Sequence, residues 1–315
     1  MTTMHASAEI TEKDGVLVGP LREPRNLAAN EAGSIHDDAQ AQRLGFRGGT
    51  VAGSIHMEQF PPLLVAAFGN RWFETGGLSC YFRNATIDRE PVRAFVELPF
   101  DVNLESPAIN LPGGIGGMSF DPPPSADAQV NVWMERDDGT LVLEGTASVG
   151  SRSEASLLRS KLSEEREAGE QRILGHLAVG EMGEPVKVRL ATADATKRLD
   201  AITEPMDWYT GKSPWAGAIV EPGLLVHMMV QVQRRIALPT DAVGLYGAIE
   251  VQHLAGPVLM EREYTVSGQV LAVGQTPKTE YLWYETVMRD GSTDIASMLM
   301  MLRFMKASSP LWADG

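Results

Sequence analysis

Glu31, His36, Asp37 and Asp38 fall within eight residues of one another, and glycines follow at positions 45, 48, 49 and 53. An acid and an imidazole held close together can move protons in opposite directions on one substrate. Glycines at 48, 49 and 53 let a ligand approach backbone N–H groups. A helix beginning there turns its positive dipole end toward a carbonyl oxygen, such as that of a thioester or a ketone. The same residue types suit a plainer arrangement, in which the carboxylates cap a helix over AQAQRL (39–44) and His36 is only hydrogen-bonded. Residue chemistry leaves both readings open.

Other reactive groups are sparse. His56 and His227 both stand early in apolar segments, where a pocket role and a packed core histidine are each possible. The stretch DWYTGKSPWAGAIVEPG (207–223) has no histidine ahead of its helix, but Trp208, Tyr209 and Trp215 could wall a pocket. Cys80 is the single cysteine, set in the apolar GLSCYF, so it reads as a core residue and no internal disulfide is expected. No two histidines have the i, i+4 spacing of a helical metal site, and no metal site is expected. Neither GxxxxGK[ST] nor GxGxxG occurs, so no nucleotide loop is present and no cofactor is expected.

The elements that must position these residues come in two weakly similar sets. GGTVAGSIH (48–56) pairs with GAIVEPGLLVH (217–227), each a glycine-led loop entering a buried helix, which aligns His56 with His227. EPVRAFVEL (90–98) pairs with GPVLMEREYTVSG (256–268), where Pro91 and Pro257 would open strands. VNVWMERDDGTLVLEGTASV (130–149) pairs with EYLWYETVMRDGSTDIASMLMML (280–302), each two strands around an Asp-Gly turn. Pro61-Pro62 predicts a kink or restart in the first helix. The charged run 151–172 reads as a linker with some helical content, separating a domain at 1–150 from a second at 173–315. The order predicts an α+β fold of two repeats, each an antiparallel sheet around a central helix.

A length of 315 residues with 43% hydrophobic content supports a sizeable core. Forty-one acids against 27 bases give a formal charge of -14 without a basic block, which argues against nucleic acid as a partner. No apolar run is long enough for a membrane helix, and the first residues lack a signal-peptide pattern, so a cytoplasmic protein without a membrane partner is expected.

At SIHDDAQAQRLGFRGGTVAGSIHMEQF (34–60) the sequence resembles the MaoC-like dehydratases, relatives of the (R)-specific enoyl-CoA hydratases. The resemblance covers most of residues 20–150 and implies a double hotdog fold, with the second half a diverged copy. It places the family histidine at His36, the acid after it at Asp38, the Gly-Phe at Gly45-Phe46 and the helix entry at Thr50 to Ser54. The family aspartate five residues before the histidine is Glu31 here, and the usual Asn-Pro is Gly33-Ser34. The resemblance implies a hydratase or dehydratase working at the β-position of an acyl thioester, with a CoA thioester as one candidate, or of a related carbonyl compound. His36 and Glu31 would be catalytic; Asp38, Gly49, Gly53, Ser54, His56 and Trp215 would contact substrate. A thioesterase or other lyase, or a non-catalytic acyl- or aromatic-ligand binder, could share the scaffold. Two hotdog units in one chain are compatible with a monomer or a homodimer.

Overall fold

The computed structural model describes residues 10–99, 127–150, 155–165 and 169–313. The first half begins with β1 (Thr11–Lys13) and β2 (Val16–Val18), followed by helices α1 (Asp38–Arg43), α2 (Gly53–Met57), α3 (Pro61–Phe68) and α4 (Arg71–Thr75). Strands β3 (Gly76–Phe82), β4 (Val92–Glu97), β5 (Ala128–Arg136) and β6 (Leu141–Val149) complete it. Helix α5 (Leu157–Ser163) lies in the expected linker. The second half runs β7 (Gly180–Glu181), β8 (Val186–Arg189), α6 (Thr192–Leu199), α7 (Pro222–Met229), then β9 (Gly244–His253), β10 (Glu263–Gln275), β11 (Thr279–Asp290) and β12 (Thr293–Met305).

The strands form one sheet in the order β1-β2-β4-β5-β6-β3-β9-β12-β11-β10-β7, with β8 also on β10. Its centre reads β4-β5-β6-β3 and then, mirrored, β9-β12-β11-β10. Each half contributes the same four strands in the same order, and β3 meets β9 antiparallel from Gly77↔Gln252 to Tyr81↔Ala248. Both Asp-Gly turns close hairpins, with Gly139 at φ 79° and Gly291 at φ 58°, a region open to glycine without a Cβ clash.

Helix α3 is buried along its whole length, as its apolar sequence on every side requires. Pro61 and Pro62 start it afresh after α2 has ended at Met57, in the first turn, where a missing N–H costs nothing. Helix α7 likewise buries seven of its eight residues. Both helices sit in the hollow of the sheet, in one continuous core with Leu17, Val96, Met134, Leu282 and Met300. Helix α5 packs on the opposite face: Leu158 joins Ala248, Trp283, Leu299 and Met301, and Arg159 ion-pairs with Glu250 at 3.3 Å and Glu285 at 2.5 Å. Two antiparallel sheets, each curled around a helix and fused edge to edge, constitute a double hotdog fold. No helix among the described residues is long and apolar enough to cross a membrane.

Backbone hydrogen bonds fix how the halves correspond, and they correct two of the sequence pairings. Thr50 N donates to Ile35 O and Val51 N to Thr86 O; in the second half Ile219 N donates to Trp208 O and Val220 N to Val258 O. Thr50 therefore matches Ile219, which sets His56 opposite Leu225 and His227 opposite Glu58, two residues from the pairing of the histidines. Thr86 matches Val258, so Pro257 precedes this bridging segment and does not open a strand; β10 starts at Glu263. The same register sets Tyr209 opposite His36 and Glu204 opposite Glu31.

Candidate functional site

The loop that carries Glu31 and His36 is held by its own small residues. Gly33 takes φ 81°, and the Ser34 hydroxyl donates to Glu31 O at 2.7 Å while accepting from His36 N at 3.1 Å. Gly33-Ser34 thus ties the acid to the histidine by a hydrogen-bonded turn. Asp37 caps α1, accepting from Gln40 N at 2.9 Å, which is the capping role expected of an acid in this stretch.

His36 Nδ1 lies 2.7 Å from Thr50 O. A carbonyl can only accept, so Nδ1 carries the proton and a neutral His36 keeps its lone pair on Nε2. Asn26 Nδ2 donates to His36 O at 2.9 Å, fixing the backbone as well. Glu31 is exposed, and no hydrogen bond or ion pair engages its carboxylate among the described residues. Its charge is felt by Tyr246, a residue of β9, whose phenol is pushed up first by burial and then by Glu31.

His36 and Glu31 open on a cavity of about 1050 Å³ lined by both halves. Gly53, Ser54 and His56 also line it, as do Phe82 and Thr86 beside them. Gly53 is the first residue of α2, a position whose N–H has no acceptor within its own helix. A Cβ at residue 53 would come within 2.5 Å of the Phe82 ring, so only glycine lets the ring and the helix entry approach this closely. His56 is buried, its Nε2 lies 2.8 Å from Thr86 Oγ1, and burial pushes its pKa down to about 4, so it is neutral near pH 7.

Three of the residues expected to contact substrate lie elsewhere. Asp38 faces the loop, where its Oδ1 accepts from Gly49 N at 2.7 Å. Gly49 packs backbone on backbone, since a Cβ there would collide with His36 O. Both brace the loop and neither lines the cavity. Trp215 is remote from it: its Nε1 donates to Glu74 Oε1 at 2.9 Å, and its ring packs edge-on against Trp208 at 5.4 Å. Cys80 is a buried core residue, its thiol pushed up by burial.

The second half supplies cavity residues that the sequence did not single out. They are Tyr246, Gln233, Lys278 and Arg303; His227 on helix α7, for which the sequence left a pocket role open, lines it with them. Burial lowers the His227 pKa, with Arg198 and Arg234 adding to the effect. Arg303 Nη2 donates to Tyr81 OH at 2.7 Å, and Gly247 leaves room for its side chain. One signal was available: Arg303 is a lone charge within the apolar strand ASMLMMLRFM (296–305).

Sheet order defines a double hotdog protein, and both of its halves line the cavity described here. By structure, 92% of the chain aligns with 94% of a protein from Chloroflexus aurantiacus J-10-fl assigned as a MaoC domain dehydratase, at TM-score 0.57 and 13% identity. A MaoC-like dehydratase aligns over 92% of this chain and 98% of its own, at TM-score 0.50 and 13% identity. No protein-family model matches the sequence, and no curated protein matches it.

Proposed function

We propose that the protein is a hydratase or dehydratase acting on the β-position of an acyl thioester, with His36 and Glu31 as its acid–base pair. The observation that carries this reading is the pairing of a tautomer-fixed imidazole with an unengaged carboxylate on one cavity wall, beside a helix entry at Gly53. In hydration, the two groups hold a water molecule. One takes a proton as the water oxygen bonds to the β-carbon, and the other delivers a proton to the α-carbon. The Gly53 N–H stabilises the enolate-like oxygen that develops on the thioester carbonyl. Dehydration is the reverse. Glutamate in place of aspartate lengthens the acid by one methylene, and the Ser34 turn sets where that longer arm begins.

Lys278 and Arg303 line the cavity as cations, with Arg83 beside them ion-paired to Glu144, and this lining in an acidic chain suits an anionic carrier such as a CoA thioester. A thioesterase on this scaffold would release free thiol, and a pure binding protein would show no turnover. Incubation with an unsaturated acyl-CoA, following loss of the enoyl chromophore and thiol release together, separates the three. Chromophore loss without thiol is expected, with a His36→Ala variant reduced about 10²- to 10⁴-fold.

A further inference from the structure

A second cluster of ionisable groups lies beneath the site and belongs to no step above. Glu58 is the residue after α2, Arg198 stands on α6, and Glu221 is the residue before α7. Both carboxylates are buried, at 2% and 0% exposure. Arg198 Nε donates to Glu221 Oε1 at 3.0 Å, and its Nη2 pairs with Glu58 and lies 3.5 Å from Ser54 Oγ. Glu221 in turn accepts from Gly223 N and Leu224 N, each at 2.5 Å. A Cβ on residue 223 would collide with Arg198 and come 2.8 Å from Ser54 O, so α2 and α7 touch here with no room to spare.

Two buried carboxylates share one guanidinium, which leaves one negative charge without compensation among the described residues. The surrounding groups do not supply it: Glu204 already pairs with Arg22, Tyr209 presents a phenol, and His227, on the helix that Glu221 caps, is driven toward its neutral form. An unpaired buried charge is strongly unfavourable, so the cluster is most stable holding a proton. Among the described residues Glu221 has two backbone donors as well as Arg198, whereas Glu58 has Arg198 alone. Burial, with Glu221 beside it, pushes the Glu58 carboxyl well up, so Glu58 is where the proton resides.

We propose that Arg198 is a positioning residue for the Gly53–Ser54 helix entry, and that it does so while Glu58 carries a proton. The inference rests on the proposed role of that entry, but it is read without turnover. When Glu58 ionises, the second carboxylate competes for Arg198, the contact at Ser54 loosens and the first turn of α2 shifts.

The sign follows from the raised pKa. The folded protein keeps a proton that the unfolded chain releases near the ordinary glutamate value of about 4.3, so stability falls as pH rises from there to the folded pKa. Melting temperatures of the wild type and of Glu58→Gln, a neutral isostere, are compared between about pH 5 and about pH 9. The amide resonance of Gly53 is followed over the same range in protein labelled with nitrogen-15 glycine. The gap between the two melting curves is expected to widen by several degrees toward alkaline pH. The Gly53 resonance should move with the same midpoint in the wild type and hold still in the variant, while Arg198→Lys displaces it at every pH. Parallel melting curves, a Gly53 resonance unmoved by titration, or a Glu58→Gln chain that does not fold would overturn the proposal. Loss of the hydratase reading would leave these results untouched.

Discussion

The loop from Glu31 to Gly53 and its counterpart from Glu204 to Pro222 hang from the same backbone hydrogen bonds, yet one opens on a cavity and the other is packed shut. In the first half small residues line the approach, and His36 and Glu31 reach the cavity. In the second half Tyr209 and Glu204 hold those positions, both buried, with Glu204 ion-paired to Arg22. Trp208 and Trp215 fill the space against Phe73, which also packs on Trp72 and His253. The scaffold alone therefore does not make a site. Opening it takes small side chains and an imidazole, and closing it takes aromatics.

The sharpest way to break this comparison is to treat the two matched residues alike. His36→Ala is expected to lose about 10²- to 10⁴-fold in turnover, and Tyr209→Phe to lose none; steady-state rates on an unsaturated acyl thioester decide it. Equal losses would mean that both halves act. Filling is tested next: Trp208→Ala removes a fully buried indole and should cost about 3–5 kcal/mol in denaturant unfolding, with turnover per folded molecule retained.

The two glutamates should divide in the same way. Glu31→Gln, at an exposed position without a partner group among the described residues, is expected to lower turnover and leave the melting temperature in place. Glu204→Gln leaves Arg22 without its carboxylate and is expected to cost about 1–3 kcal/mol in stability, with turnover kept. The smallest effect distinguishes nothing by half, and that is its use. His56 in the open half and His253 in the closed half are both pushed down to about 4 by burial. The unfolded chain protonates these rings near pH 6.5, so their stabilisation is complete above that value and is lost as pH falls toward about 4. Melting curves of His56→Gln and His253→Gln should each lose part of the wild-type fall over that window. A variant as steep as the wild type would show that its histidine is already charged.

Much of this was legible in the sequence, for identifiable reasons. The glycine-led helix entries, the proline restart at Pro61 and the two Asp-Gly hairpins are local, and local chemistry fixed them. The alignment of His56 with His227 was not, because apolar helices tolerate a slip of two residues; only the bridge from Val51 to Thr86, matched by Val220 to Val258, sets the register. Trp215 was placed in the pocket because aromatic side chains serve pockets and cores equally well, and its partner Glu74 is 141 residues away in sequence. Tyr246 and Arg303 reach the cavity only because β3 and β9 join the halves, a contact that no short motif records. Asp38 and Gly49 came from the right loop but act within it.

In the proposed reaction water adds across a carbon–carbon double bond while the thioester survives. The direct measurement is mass spectrometry of the products formed from an unsaturated acyl-CoA in water enriched in heavy oxygen. The account predicts one heavy oxygen on the β-carbon of an intact hydroxyacyl thioester, a signal nearly abolished in His36→Ala. Heavy oxygen found in a free carboxylic acid, with CoA released, would contradict it.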